Sequence, residues 1–244
     1  MLRAMRTAAT GMMAQQMNVD NIANNLANVN TTGFKKARVE FQDLFYQRQK
    51  SAGSPTASGD RTPLPLEIGY GSTPVSTQRL FSQGELVSTG NSADIAIKGD
   101  GFLRVILADG REAYTRDGSF KVSAEGAVIT SDGNRLDPEL TIPADASQIT
   151  IDGSGTVSVS FGAGGEAQVI GQIELVRFIN PAGLHALGQN LFLPTDATGD
   201  PIPGTPGQDG YGSLAQGYLE VSNVDIVNEM VELITAQRAY EISS

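Results

Sequence analysis

The feature that most constrains this chain is a long amphipathic segment at its amino terminus. From Leu2 to Lys36, apolar residues recur every seven positions, with others three positions later, as in a helix that packs one stripe against a partner. The segment Ser222 to Ser244 has apolar residues at spacings of three and four and is the matching partner. Because such a stripe needs burial, we predict that the two ends of the chain meet. The predicted assembly seam comprises Met5, Met12, Val19, Ile22, Leu26, Val29, Val224, Val227, Val231 and Ile234.

A polar stripe accompanies the apolar one on the first helix. It consists of Asn18, Asn21, Asn25 and Asn28. Asparagine is a poor helix former because its side chain competes for backbone hydrogen bonds. The simpler interpretation of this stripe is a face exposed to solvent. We favour the alternative that these amides hydrogen-bond across subunits of a packed assembly. Residues 31–33, Thr-Thr-Gly, are predicted to end the helix.

Charge and cysteine content exclude several functions. The 244 residues carry 27 acidic and 17 basic side chains, a formal net charge of −10, which argues against nucleic-acid binding. There is no cysteine, so disulfides, thiol nucleophiles and zinc-finger ligands are absent. No cleavable signal peptide and no membrane span are recognisable. By these criteria alone the chain is expected to be cytoplasmic.

The central part of the chain is predicted to be β-rich. Acid-glycine pairs at 109–110, 117–118, 125–126 and 132–133 separate short strands, and each glycine can supply the positive φ of a tight hairpin. Residues 156–161 alternate with period two and are expected to bury Val157, Val159 and Phe161. We therefore predict an α+β fold, with terminal helices pairing as a coiled-coil-like core and a central, mainly antiparallel β domain.

Composition divides the chain into four segments. Residues 1–33 are predicted to form the N-terminal helix of the core, and residues 34–75 an extended linker or hairpin rich in proline, glycine and serine. Residues 76–219 are predicted to form the β-rich domain, and residues 220–244 the C-terminal helix of the core. Ser222 followed by Asp225 is a predicted cap of that helix.

No set of residues predicts chemistry. His185 is the single histidine and has no nucleophile beside it. Gly99-Asp100-Gly101 lacks the rest of a dinucleotide fingerprint, and the run after Asp132 lacks the glycine and glutamate of a calcium loop. We predict no catalytic, cofactor-binding or metal-binding residues, and so no enzyme.

Four ordered motifs resemble the bacterial flagellar basal-body rod and hook axial proteins. The first and last are NNLANVNTTGFK and QRAYE, and the central ones are IAIKGDGF at 95–102 and YTRDGSF at 114–120. The matching terminal residues are Asn24, Asn25, Leu26, Ala27, Asn28, Thr31, Thr32, Gly33, Phe34, Gln237, Arg238, Ala239 and Tyr240. Within the family, the insertion between residues 47 and 74 resembles the one that marks the distal rod member, where it forms a hairpin against neighbouring subunits.

The resemblance implies a structural subunit that polymerises helically into the periplasmic drive shaft of the flagellum and encloses the export channel. It implies export without a cleaved signal peptide, with neither membrane insertion nor nucleic-acid binding. The implied partners are copies of the chain itself, proximal rod proteins, the hook protein, ring proteins of the outer membrane and peptidoglycan layer, and the export apparatus. In such a tube, the predicted channel face comprises Asp225, Glu229, Glu232 and Thr235.

Two alternatives to a distal rod subunit stay open from sequence, ahead of an enzyme acting on cell-wall glycan, which comes last. One is a hook or proximal rod subunit, which shares the terminal motifs. The other is a periplasmic, β-rich peptidoglycan-binding module that uses its helices as a stalk.

Overall fold

The computed structural model describes residues 2–53, 63–162 and 167–243. It confirms an α+β architecture in which a helix near each end of the chain flanks a β-rich centre. The residues divide into two compact units. Unit 1 contains Met1–Ala27, Ala37–Arg79 and Asp225–Ser244, and unit 2 contains Asn28–Lys36 and Leu80–Val224. This division differs from the four predicted segments, since residues 28–36 belong with the β-rich unit.

Over its described residues, unit 1 contains both helices and four strands. Helix α1 is Leu2–Ala27 and helix α2 is Ile226–Ser243; the strands are β1 Ala37–Asp43, β2 Tyr46–Lys50, β3 Leu66–Gly69 and β4 Ser72–Arg79. β1 pairs antiparallel with β4, and β2 pairs antiparallel with β3. The predicted hairpin tip includes residues 54–62, which lie outside the described residues.

The two helices pack against each other in antiparallel orientation. Asn25 near the end of α1 bonds Glu229 near the start of α2, while Gly11 lies next to Ser243 at the other end of α2. Helix α2 begins later than predicted. The side chain of Asp225, rather than Ser222, caps it by accepting the backbone N–H groups of Val227 and Asn228 at 2.9 and 3.2 Å.

Unit 2 is built from short antiparallel strands, as its turn spacing predicts. They are β5 Leu86–Ser88, β6 Ile95–Lys98, β7 Phe102–Ile106, β8 Glu112–Thr115, β9 Lys121–Val122, β10 Val128–Ile129, β11 Arg135–Asp137, β12 Gln148–Ile151, β13 Thr156–Ser160, β14 Ala167–Gln172, β15 Leu175–Arg177, β16 His185–Gly188, β17 Leu191–Leu193, β18 Ile202–Gly204, β19 Ser213–Gln216 and β20 Tyr218–Glu220. A large sheet has the order β16-β17-β8-β7-β11-β10-β9, with β15 joined to β7 and β18. β12, β13 and β14 form a smaller sheet, while β19 pairs with β6 and β20 with β5.

The core of unit 2 is apolar and follows the predicted alternation at Val157 and Val159, whereas Phe161, beyond the end of β13, is only partly buried. Leu103 and Val105 of β7 are fully buried together with Val157 and Val159 of β13. Three of the four predicted acid-glycine turns contain a glycine of positive φ, at residues 110, 126 and 133. Gly118 is the exception: a Cβ there would lie 1.6 Å from the Ile95 carbonyl oxygen, so close backbone packing explains this glycine.

Candidate functional site: the terminal segments and a buried charge cluster

Three buried charged side chains form a cluster in unit 2. Lys35 Nζ lies 2.6 Å from Glu220 Oε1, and neither side chain is exposed to solvent. Arg116 Nη1 lies 3.3 Å from Glu220 Oε2 and is almost as deeply buried. A buried carboxylate is tolerated only when it is paired and hydrogen-bonded, and this one meets both conditions.

The cluster also binds the backbone of neighbouring segments. Gly84 N–H donates to Glu220 Oε1 at 2.8 Å, and Lys35 Nζ donates to the Ser82 carbonyl oxygen at 2.7 Å. Gly33 N–H donates to the backbone oxygen of Glu220, also at 2.8 Å. The cluster therefore holds the segment after α1, the segment after β4 and the end of β20 together.

Asn223 completes this arrangement beside the cluster. Its side-chain oxygen accepts the Lys36 N–H at 2.7 Å, and its amide nitrogen donates to the Leu80 carbonyl oxygen at 2.8 Å and to Ser82 Oγ at 2.9 Å. The chain passes between the two units after residues 27, 36, 79 and 224. Three of these junctions have Lys36, Leu80 or Asn223 at or next to them. The hydrogen bonds of the Asn223 amide therefore join three segments of unit 2 close to where the chain enters or leaves it.

The electrostatics of the cluster are set by burial. Desolvation lowers the pKa of Lys35 from its usual 10.5, with Glu220 opposing the shift. Burial also lowers the pKa of Arg116, against the attraction of Glu220 and Asp100. Two buried cations thus share one buried carboxylate. This balance stabilises the arrangement only while every member is present.

The predicted stop at Gly33 has a specific structural cause. Gly33 has φ +67°, a conformation that suits glycine. A Cβ there would lie 2.7 Å from the backbone nitrogen of Asp117. The close approach brings the segment of Lys35 against the strand end that carries Arg116. The glycine of the terminal motif is therefore required by both conformation and space.

Asn25 joins three elements of unit 1. It is buried, its Nδ2 donates to the Ala37 carbonyl oxygen at 2.9 Å, and its Oδ1 accepts the Ala37 N–H at 3.0 Å. The same Nδ2 lies 3.2 Å from Glu229 Oε2, and Asn21 also donates to the Ala37 oxygen. The structure corrects our prediction of a cross-subunit amide bond for Asn25, which is buried and used within the chain. For Asn21, of which the amide nitrogen is bonded within the chain, the cross-subunit bond stays a prediction.

The predicted seam residues occupy different environments. Ile22 and Val224 are buried, and Met12, Val19, Leu26 and Val29 are partly buried. Val227, Val231 and Ile234 are exposed, as is Met5. The pairing of α1 and α2 within one chain therefore uses the other face of α2, where Glu229 and Ala236 are buried. This corrects the prediction that the valine and isoleucine stripe pairs with α1 of the same chain.

The predicted channel face also divides. Asp225, Glu232 and Thr235 are exposed. Glu229 does not belong to that surface, because it is fully buried next to Asn25. Helical spacing placed Glu229 near the other acidic residues, and sequence could not show that α1 covers it.

The remaining predicted residues lie as follows. Asn24, Gln237, Arg238 and Tyr240 are exposed, while Phe34 is buried. His185 is exposed on β16. Within residues 2–53, 63–162 and 167–243, no histidine, cysteine and carboxylate grouping is suited to a metal ion. Neither helix, over its described residues, has the length and hydrophobicity of a membrane span.

Sequence reasoning missed the charge cluster. Lys35 and Glu220 are 185 positions apart, so no local spacing connects them. One signal was present in the sequence. Lys35 follows directly after Thr-Thr-Gly-Phe, beyond the predicted end of the helix, so its charge does not serve to stabilise that helix. In unit 1 the terminal helices are paired, and in unit 2 the buried charges bind backbone segments. Contacts of both kinds hold chain segments in place, as in a structural protein.

Comparison with known families agrees with this class. Three family descriptions match: "Flagella basal body rod protein" at residues 5–35, "Flagellar hook protein FlgE/F/G D1 domain" at 96–159 and "Flagellar basal body rod FlgEFG protein C-terminal" at 215–244. The chain belongs to the flagellar basal-body rod and hook protein family.

Curated relatives span the whole chain. "Flagellar basal-body rod protein FlgG" of Borreliella burgdorferi is 52% identical over 100% of this chain and 93% of its own length. The protein of that name from Caulobacter vibrioides is 47% identical over the same shares, and the one from Bacillus subtilis is 39% identical. The Helicobacter pylori hook protein FlgE2 structure is 15% identical, covering 76% of this chain and 43% of its own, with a TM-score of 0.26.

Proposed function

We propose that this chain is a structural, non-catalytic subunit of the flagellar distal rod. The observation that carries the proposal is similarity over the full chain to several proteins called flagellar basal-body rod protein FlgG. The site supports it physically, because its polar side chains are used to hold chain segments together. The subunit polymerises helically in the periplasm and transmits torque from the motor to the hook.

The exposed stripe on α2 supplies a self-association surface. Val227, Met230, Val231 and Ile234 are all about half exposed or more, and they lie on the side of α2 away from the buried Glu229 and Ala236. Contiguous exposed apolar residues mark association sites. In this proposal the stripe packs against helices of neighbouring copies, and the coiled-coil-like core forms between subunits.

The rest of the proposed role follows from the distal-rod assignment. Strands β1 to β4 lie against neighbouring subunits. Asp225, Glu232 and Thr235 face the export channel, through which the chain itself leaves the cell without a cleaved signal. The subunit contacts proximal rod proteins, the hook protein and the surrounding ring proteins.

Electron microscopy of basal bodies from a strain lacking this chain tests the proposal. A rod that stops short, without a hook, is the expected result, and the full chain supplied in trans should restore both. A complete rod without a hook would assign the chain to the hook instead. Intact, hook-bearing basal bodies would reject a role in the flagellar axis.

A further inference from the structure

A pocket in unit 2 combines two arginines with an apolar wall. It has a volume of about 230 Å³ and includes Arg116, Arg177, Asp100, Phe102, Phe178 and Ile179 in its lining. Phe102 and Phe178 are in edge-to-face contact, with ring centroids 5.8 Å apart, and so form a rigid wall. The pocket adjoins the charge cluster through Arg116 but is separate from the contacts that hold Lys35.

Arg116 brings an unsatisfied donor to this pocket. The residue is only 3% exposed, and its Nε has no hydrogen-bond partner among the described residues. Among the described residues it forms an ion pair with Glu220 alone, and Glu220 is shared with Lys35. Asp100 lines the pocket but makes no ion pair with Arg116 within the described ranges. A buried guanidinium with a free N–H and a shared counter-ion is suited to a further anionic group.

Arg177 supplies a second cation at the same pocket. Its guanidinium lies over the ring of Tyr211 at 5.3 Å, and Nη1 donates to the Asp209 carbonyl oxygen at 3.3 Å. These contacts orient the group without neutralising its charge. Ile179 beside it is 81% exposed and extends the apolar wall outward. The pocket therefore matches a carboxylate that has an apolar or aromatic side chain next to it.

Strand β1 presents such a pair on one face. In an extended strand alternate side chains point to the same side, so Phe41 and Asp43 share a face of β1, which ends at Asp43. Phe45, two residues beyond Asp43, is 88% exposed, and Phe41 and Asp43 are also exposed. A carboxylate between two exposed aromatic rings is complementary in charge and chemistry to the two-arginine pocket.

We propose that this pocket binds the Asp43–Phe45 corner of a second copy of the chain, with Asp43 reaching the two arginines and Phe45 packing on Ile179. The proposal rests on the proposed function, since it needs copies placed side by side. It assigns a specific contact to an assembly in which burial of Phe45 and pairing of Arg116 occur together.

The absence of cysteine permits a direct test by cross-linking. Phe45→Cys combined with Ile179→Cys, in assembled rods under mild oxidation, should give a ladder of covalent multimers on a denaturing gel. Phe45→Cys combined with Val122→Cys is the matched control, because Val122 is exposed elsewhere on unit 2. A cross-linked species of monomer mass, or equal ladders from both pairs, would overturn the proposal.

A binding measurement separates this inference from the proposed function. A labelled peptide of residues 39–47 should bind the full chain, and Asp43→Asn in the peptide or Arg177→Gln in the chain should each weaken binding about tenfold or more. Arg177→Gln avoids the folding risk of changing buried Arg116, and Arg111→Gln, at an exposed arginine, is the control. Binding that ignores both substitutions, or saturable binding of a peptidoglycan fragment to this pocket instead, would reject the contact. Either of these two binding results would leave the rod phenotype of the deletion strain unchanged, so the contact can fail while the proposed function stands.

Discussion

At the scale of single residues, glycine and charge explain the terminal motif. Gly33 is needed because its backbone has a left-handed conformation and lies against the backbone of Asp117. Lys35 is needed because Glu220 is buried without access to water. The N-terminal motif, residues 24–35, is therefore the end of a helix in its first third and a segment that docks within unit 2 in its last two thirds.

Gly33→Ala should destabilise unit 2 through both strain and steric conflict. The left-handed conformation alone costs about 1–2 kcal/mol for a residue with a Cβ, and displacement of the Asp117 backbone adds to this. Gly110→Ala is the matched control, because Gly110 has φ +82° with open space around it. Thermal unfolding should show a clearly larger loss for Gly33→Ala, and equal losses would disprove the steric role.

Tyr114 should make stability depend on alkaline pH. Burial, then the hydrogen bond to Glu112, raises the pKa of Tyr114 above its usual 10.0. Above pH 10 the unfolded chain loses this proton first, so the stability present at lower pH falls as the pH rises.

Melting temperatures at pH 9 and pH 11 test this expectation. Tyr114→Phe should reduce the loss between the two values, whereas Tyr218→Phe, at an exposed position of β20, should not. An unchanged loss in Tyr114→Phe would show that other groups control the alkaline transition.

At the scale of elements, the sequence predicts which elements form better than which faces they bury. Hydrophobic periodicity predicts both helices, and turn spacing predicts the antiparallel strands. The period cannot show which apolar stripe is covered within the chain. On α2 the structure buries Glu229 and Ala236 and leaves Val231 57% exposed. A buried Asn25–Glu229 contact spans 204 positions, and local pattern contains no information about such a pair.

Val231→Asp separates folding from assembly. Because Val231 is exposed in the single chain, the substitution should leave the fold of the monomer intact, as measured by circular dichroism and thermal unfolding. In the proposed seam between copies it would bury an unpaired charge at a cost of several kcal/mol, roughly, and block rod formation. Glu232→Gln, which changes a charge on the exposed polar side, should assemble. Normal motility of the Val231→Asp strain would refute the seam.

At the scale of the whole molecule, the segment between β2 and β3 can be removed without breaking the ladder. Lys50 and Leu66 are paired across β2 and β3. Replacing Ser51 to Pro65 with an Asp-Gly turn should therefore preserve the pairing of these strands. If the segment braces neighbouring subunits, electron microscopy should show rods of altered length or straightness. A deletion of residues 163–166, between β13 and β14 of unit 2, is the control for a generally shortened chain. Rods of wild-type form would remove the bracing role.

The charge cluster also determines when the molecule can fold. Unit 2 contains residues 28–36 at one end of the chain and residues up to 224 near the other. Contacts this far apart in sequence close late, because the intervening chain must first lose its freedom. A chain that emerges with either end first cannot form the Lys35–Glu220 pair until both residues are out. Completion of the fold is thereby linked to arrival of the last part of the chain. A subunit of which only half has emerged therefore lacks the Lys35–Glu220 pair and has not finished folding.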